Sequence, residues 1–340
     1  MSLKFSISNN AFVFICSILY CLYFVTNNII FSILPIIICL TEIKKALHIL
    51  IVFIVIALYF LFIDFYNSKD ILLLSFSIFL FYYKFKDNNP LDTLRWNSYA
   101  ILTMLLLFLL LQPIGGWEEV LSYKSRLSFE LWGGKFINPN PLGLVSAICA
   151  IGLLINKKYF FSFYPIFTMF FTQSRAALLF FFVFLILYYM KSVKNFLITI
   201  LIFLIFFYFS YNTPVIQRII EGGDSGRGVY LEFYENILKN NYITGYSIRA
   251  LDEIYINSGR TIDQMYFSLF IRYGFFMGGI ILLIFIYLFF LNRKDEYFNL
   301  RYSILIAFLV YGFFEKGFLF FYMAWIPMSL CYNNLKNSRI

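Results

Sequence analysis

Charge and histidine are what this sequence has least of. Only 13% of the 340 residues are charged and His48 is the single histidine, where a soluble domain carries about 25% charged side chains. A chain so poor in charge has too few polar groups to wet the surface of a soluble fold of this length. No Walker lysine loop, GxGxxG turn, HExxH pair, GxSxG elbow or DxD pair occurs. The usual signatures of nucleotide cradles, zinc hydrolases, serine hydrolases and metal-clamped nucleotide-sugar transferases are therefore missing. The five cysteines, Cys16, Cys21, Cys39, Cys149 and Cys331, lie inside or at the edge of apolar segments with no CxxC. Neither a disulfide framework nor a metal site follows. The first apolar run, residues 11–25, lacks a small-residue cleavage site and reads as a span, not a signal peptide.

What is present in excess is apolar and aromatic bulk, 61% hydrophobic with 46 Phe and 27 Tyr. Apolar runs centre on residues 11–26, 29–41, 47–63, 71–83, 98–111, 141–155, 159–172, 176–190, 196–211, 265–291, 301–314 and 317–332. Twelve spans of about 20 residues take up roughly 240 positions, which leaves no room for a second folded soluble domain; residues 1–340 form one polytopic membrane domain. The basic residues orient it. With the N-terminus in the cytoplasm, Lys4, Lys44, Lys45, Lys84, Lys86, Arg95, Lys157, Lys158, Lys191, Lys194, Arg293, Lys294, Arg301, Lys336 and Arg339 share one side, 15 of the 27 Lys and Arg. Short connections on the other side hold Lys69, Arg175 and Lys316. The positive-inside rule thus predicts twelve helices in a bacterial inner membrane with both termini cytoplasmic. The net charge of +9 is spread between spans and not gathered on a face, which excludes a nucleic-acid partner. Membrane lipids are the expected surroundings, and the aromatic excess reads as bulk facing them.

Two long connections fall on the outer side, residues 112–140 and 212–264, and long loops in compact proteins carry binding or chemistry. In the second, Val229, Tyr230, Phe233, Tyr234, Ile237 and Leu238 recur at helical spacing, while Arg227, Glu232, Glu235 and Lys239 take the opposite face. This predicts an amphipathic helix opened near Asp224 or Ser225 and closed by Asn240 and Asn241, lying on the membrane surface or on the span bundle over a cavity. Arginines stand at unusual places on the same side. Arg175 occupies a tight connection between two Phe-rich spans, and its plain alternative is snorkelling to headgroups. Arg272 lies seven to nine positions into the span that starts near Met265, about 10–13 Å deep at 1.5 Å per residue. An intramembrane cation needs a cavity or a partner, and an ion pair with Glu315 is the bland account. Arg227, Arg249 and Arg260 are loop residues. Guanidinium groups gathered at a membrane surface suit a lipid-borne phosphate or diphosphate. With His48 on the inner side, a general base on the outer side has to be Asp or Glu.

In order along the chain stand Gly133-Gly-Lys-Phe-Ile-Asn-Pro-Asn140, Gln173-Ser-Arg-Ala176, Asp224-Ser-Gly-Arg227, Asn241-Tyr-Ile-Thr-Gly-Tyr246, Asp263-Gln-Met-Tyr266 and Arg272-Tyr-Gly-Phe275. This series resembles the superfamily of O-antigen ligases and Wzy-type repeat-unit polymerases, over roughly residues 130–280. The resemblance implies a GT-C-like, all-α membrane glycosyltransferase that needs no metal or other cofactor. Its donor and acceptor would be undecaprenyl-diphosphate-linked oligosaccharides, with a chain-length regulator as a further candidate partner. It implies that Arg175 and Arg227 hold the donor diphosphate, with Arg272 and Arg249 beside them. Where the ligase pattern carries a histidine followed by Asn, this chain reads Asp263-Gln264, which favours a polymerase with Asp263 as general base over a ligase that passes glycan to lipid A core. Asp263 also suits an N-cap for the span that follows. A lipid-linked sugar flippase is the third reading, but such transporters show two related halves and both long loops here sit in the middle and third quarter of the chain. The topology predicts that an external thiol reagent labels Asp252→Cys and not Lys294→Cys in a cysteine-free background; the reverse pattern excludes it.

Overall fold

The computed structural model describes residues 8–26, 30–42, 89–111, 119–120, 125–131, 135–189, 197, 200–201, 204, 227–259, 264–290 and 297–315. These are mostly helical. The helices are α1 (Asn9–Thr26), α2 (Ile30–Glu42), α3 (Pro90–Leu111), α4 (Pro139–Ile155), α5 (Tyr159–Phe171), α6 (Arg175–Tyr189), α7 (Arg227–Asn240), α8 (Ile248–Ser258), α9 (Met265–Phe290) and α10 (Phe298–Gly312). A two-residue antiparallel pair, β1 (Glu130–Leu131) with β2 (Lys135–Phe136), pairs Glu130 with Phe136. Among the described residues Pro90–Leu111 is the helix long and apolar enough to cross a bilayer by itself; Pro139–Ile155, Tyr159–Phe171, Arg175–Tyr189 and Phe298–Gly312 are apolar but shorter. The expected spans at 47–63, 71–83 and 317–332 lie outside the described residues, as does most of 196–211.

Several helix ends follow directly from local chemistry. Asn138 accepts a hydrogen bond from the Asn140 N–H at 3.0 Å, and Pro139 takes the first helical position of α4, where its missing N–H costs nothing. Asn89 does the same for Leu91 at 2.9 Å ahead of Pro90. As a result α3 starts at Pro90 and not at 98, the beginning of the apolar run, and Arg95 lies inside it, paired with Asp92 at 2.7 Å. The turn between α5 and α6 is held by Gln173 at a φ of 50° and by Ser174, whose hydroxyl accepts from the Ala177 N–H at 3.4 Å.

One layer of packing runs from α1 through α3 to α4, and α4 packs in turn against α5 and α6, with α6 lying along α10. A small polar seam runs through the α1–α3 and α3–α4 interfaces. Asn97 donates to the Ser17 hydroxyl at 2.9 Å, and the Cys149 thiol donates to the Ser98 carbonyl at 3.2 Å, all within the buried core. On α10, residues 301, 304, 305, 308 and 311 fall on one stripe at helical spacing, and all are buried. Phe308 meets Phe180 of α6 with centroids 4.9 Å apart. Arg301 heads that stripe and is 0% exposed. This corrects its expected place among the solvated inner-side charges.

A second, smaller core forms around the large loop. Tyr234, Ile237 and Leu238 of α7 and Leu251 of α8 bury against Ile271 of α9. The expected amphipathic helix is α7, closed at Asn240, and it packs on α9; α8, capped by Ser247 and ended by Gly259 at a φ of 63°, extends the same apolar surface and was not expected.

Helix α9 is broken where the sequence pattern continues. Gly274 has φ 70° and ψ 168°. In an unbroken helix the Phe275 N–H would donate to the Ile271 carbonyl. Here the Ile271 carbonyl accepts from the Tyr246 N–H at 2.8 Å, and the Phe275 N–H donates to the Tyr242 carbonyl at 2.7 Å. The loop 241–246 is thus hooked into the break. It is itself tied by Asn241, whose amide donates to the Gly245 carbonyl at 2.7 Å. The approach is so close that only glycine fits. A Cβ on Gly274 would lie 1.9 Å from the Ile243 carbonyl oxygen, and one on Gly245, at a φ of 77°, would lie 2.5 Å from the Arg272 carbonyl oxygen. Gly279, five residues along the same helix, has nothing within 4 Å of such an atom. Gly274→Ala should therefore cost at least about 2 kcal/mol through left-handed strain and overlap, while Gly279→Ala should be neutral or stabilising by up to about 1 kcal/mol. Thermal unfolding of the two purified variants checks this, and equal midpoints would contradict the hooked break.

Candidate functional site

The motif at the end of the first long loop and the turn that carries Arg175 come together at one end of the bundle. Here α4 and α6 begin and α5 and α10 end. The joining residue is Arg126. Its Nε donates to the Thr172 carbonyl at 2.8 Å, and an Nη donates to the Asn140 side-chain carbonyl in a short contact. The Asn140 amide nitrogen in turn donates to Glu315 Oε1 at 2.7 Å. Two further bonds sew the same loop to the same turn, Leu127 N–H to the Phe171 carbonyl at 2.8 Å and the Gln173 side-chain amide to the Ser125 carbonyl at 3.2 Å. Gln173 is free to make that bond because its own backbone closes α5 in the left-handed region.

Space as well as hydrogen bonding fixes this end. A Cβ on Gly143, in the second turn of α4, would come within 2.7 Å of the Thr172 hydroxyl and 2.9 Å of Ser174. The turn therefore sits directly on α4 because residue 143 has no side chain. On the other flank Tyr266, at the start of α9, donates its hydroxyl to the Leu309 carbonyl at 2.7 Å and lays its ring on Phe313, 4.7 Å between centroids. Gly312 faces Met265 closely enough that a Cβ would overlap its side chain. The hydroxyl and the ring of Tyr266 are thus both engaged in holding α9 to α10.

Arg175 opens α6 at this polar knot and is half-buried. Arg272 belongs to the last turn of α9 before the break, also half-buried, two residues before Gly274 and with its carbonyl against Gly245 of the loop 241–246. The motifs Asn241–Tyr246 and Arg272–Phe275 are thereby in direct backbone contact. Arg249 lies in the first turn of α8 and is exposed. Arg227 is the first residue of α7, with its side chain outside the described residues; Asp263 and Arg260 lie outside them altogether. Burial pushes the Tyr246 phenol above its ordinary value, and it donates as a neutral hydroxyl to the Ile237 carbonyl at 3.0 Å.

Arg126 and Asn140 are the residues that sequence reading passed over. Both lay in the first long loop, and Asn140 stood in a quoted motif without a role. The available signal was the doubled asparagine of Asn138-Pro-Asn140, since one asparagine suffices for the cap and the second is left for other bonds. Among the described residues no group of three His, Cys, Asp or Glu side chains could hold a metal ion. What this end offers chemically is a pair of guanidinium groups and an oriented carboxylate beside an apolar bundle. Comparison with family models, with characterised proteins and with solved structures finds no match to this chain.

Proposed function

We propose that this chain is an integral membrane glycosyltransferase of the Wzy polymerase type, joining undecaprenyl-diphosphate-linked oligosaccharide repeat units on the periplasmic side of the bacterial inner membrane. The observation that carries the reading is the meeting of the Asn138–Asn140 segment, the Arg175 turn and Glu315 at one end of an apolar bundle. Chain-distant polar motifs have been drawn into one charged cluster where a bundle of this composition has the strongest reason to be apolar.

The twelve-span architecture is part of the same proposal. Its support is the side-chain distribution: Phe160 is 87% and Leu110 80% exposed, and Leu107, Leu111, Phe161 and Phe163 are exposed beside them. Single exposed apolar residues are ordinary, but runs of this size need lipid or another apolar partner around them. α4 and α6 then run inward from the periplasmic face and α10 runs back to it.

Transfer breaks the bond between the anomeric carbon and the diphosphate oxygen, and the electron pair leaves with the diphosphate. Guanidinium groups held by the fold stabilise that growing charge without reorganising in the transition state. Arg175 suits this role because the α5–α6 turn that carries it is fixed by Arg126, Gln173 and Gly143. Arg272 and, through the large loop, Arg227 and Arg249 are the further diphosphate contacts. The sugar hydroxyl of the acceptor attacks from the opposite face, which inverts the anomeric centre, and its proton passes to a carboxylate.

Deleting the gene in its native host should remove the long glycan ladder and leave one repeat unit on the surface lipid. Loss of every repeat would point instead to a ligase. In the complemented strain, Arg175→Lys keeps the charge but loses the bidentate fork, and should shorten or abolish the ladder at normal protein level. A full-length ladder from well-expressed Arg175→Ala would take Arg175 out of the site.

A further inference from the structure

Glu315 follows the last turn of α10, half-buried, and Asn140 holds its Oε1 from 175 positions away in sequence. The asparagine is itself fixed, since its carbonyl oxygen takes the Arg126 guanidinium. An amide bonded this way cannot flip, because its oxygen would then face a carboxylate and its NH2 a cation. A cation thus orients an amide, and the amide orients a carboxylate. Hydrogen bonds in such a chain polarise one another.

Arg175 stands at the same level of the bundle. Phe180 of α6 packs against Phe308 and Tyr311 of α10, with centroids 4.9 Å and 6.3 Å apart. From Phe180 back to Arg175 is about 8 Å of helix rise, and from Tyr311 on to Glu315 about 6 Å in the same direction. A cation and an oriented carboxylate on adjoining helix ends match the two charges that glycosyl transfer has to manage, the negative charge leaving with the diphosphate and the proton leaving the attacking hydroxyl.

We infer that Glu315, in place of Asp263, accepts the proton of the acceptor sugar hydroxyl, with Asn140 and Arg126 as the residues that position it; this rests on the reading of the chain as a repeat-unit polymerase. In the step, the hydroxyl oxygen bonds to the anomeric carbon and the carbon–oxygen bond to the diphosphate breaks. The electron pair of that bond goes to the diphosphate, and the hydroxyl proton goes to the Glu315 carboxylate, which later loses it to water. The acceptor gains the whole oligosaccharide of the donor, and undecaprenyl diphosphate departs.

Charged and titratable groups on the described elements around Glu315 are Arg126 and, joined to the neighbouring Ser125 through its backbone carbonyl, Glu119 from the first loop, Arg175 on α6, Tyr266 on α9 and Tyr311 on α10 itself; the first turn of α4 contributes none. Guanidinium groups and phenols keep one protonation state between about pH 4 and 8. Among these described groups, a change of rate in that range is therefore a carboxylate's, and its response to loss of the Asn140 hydrogen bond assigns it to Glu315.

The test uses the full-length chain purified into lipid nanodiscs and undecaprenyl-diphosphate repeat units extracted from the deletion strain. Glu315→Gln retains an oxygen for the Asn140 amide but cannot take up a proton, so the initial rate should fall about 10²–10⁴-fold while elution and melting stay close to wild type. Asn140→Ala retains the base but removes a hydrogen bond to its ionised form. The acidic limb of its rate–pH profile should move to higher pH, whereas a merely structural role would lower the whole profile without moving it. A wild-type rate in Glu315→Gln, or an unmoved limb in Asn140→Ala, overturns the inference. If Glu315→Gln does not fold, the Asn140→Ala profile decides alone. A wild-type protein that makes no polymer from these units overturns the polymerase reading, and the inference with it.

Discussion

A single side-chain amide, that of Asn140, lies between a guanidinium and a carboxylate, and the arrangement of this end of the molecule depends on it. Arg126 and Glu315 come from a loop and from a helix end that are far apart in sequence. The amide that bonds both thereby ties together the loop, α4 and α10. Arg126 carries the constraint one step further, to the carbonyl of Thr172, and so to the turn that presents Arg175. The absence of a side chain at Gly143 lets the turn carrying Thr172 sit on α4, and at Gly312 it makes room for Met265 of α9 against α10.

The second constraint is the break in α9. Helix ends and interruptions leave backbone groups that must be satisfied, and within a bilayer irregular backbone is tolerated only where protein or a cavity surrounds it. The loop 241–246 supplies the missing partners to Ile271 and Phe275. In doing so it anchors α7 and α8, whose apolar faces cover Phe267, Phe270 and Ile271. The large loop is therefore a folded part of the bundle at this point, and Arg272 is held at the seam between loop and helix. Broken helices in membrane proteins mark binding sites for charged ligands with some regularity, in keeping with the role proposed for Arg272.

Much of this was legible in the residues. The bounds of α4, α5, α6 and α9 follow the apolar runs to within a few residues, because composition changes abruptly at their ends. Helix α7 follows from its amphipathic spacing. The break at Gly274 was not legible: apart from Arg272 the apolar run continues on both sides of it, and glycine is common within helices that pack closely or lie in membranes. The early start of α3 was hidden by Asp92 and Arg95, which read as loop charges until they are seen to neutralise each other within one helical turn. Arg301 misled in the same way, since one cation beside Arg293 and Lys294 counts as a surface charge in any tally, although its helical position puts it on the buried stripe. Arg175 stood out in the sequence for its place in a tight apolar connection, but the partners that fix its turn are long-range, and no spacing rule joins residue 126 to 140, 172 and 315.

The central claim is that fixed arginines at this end take the place of a metal in repeat-unit polymerisation. Product analysis of the reconstituted wild-type chain, given undecaprenyl-diphosphate repeat units in excess EDTA, tests it most directly. The account predicts a series of lipid-linked products differing by one repeat each, formed at the same rate with and without the chelator. Polymer that appears only when a divalent cation is restored would contradict it.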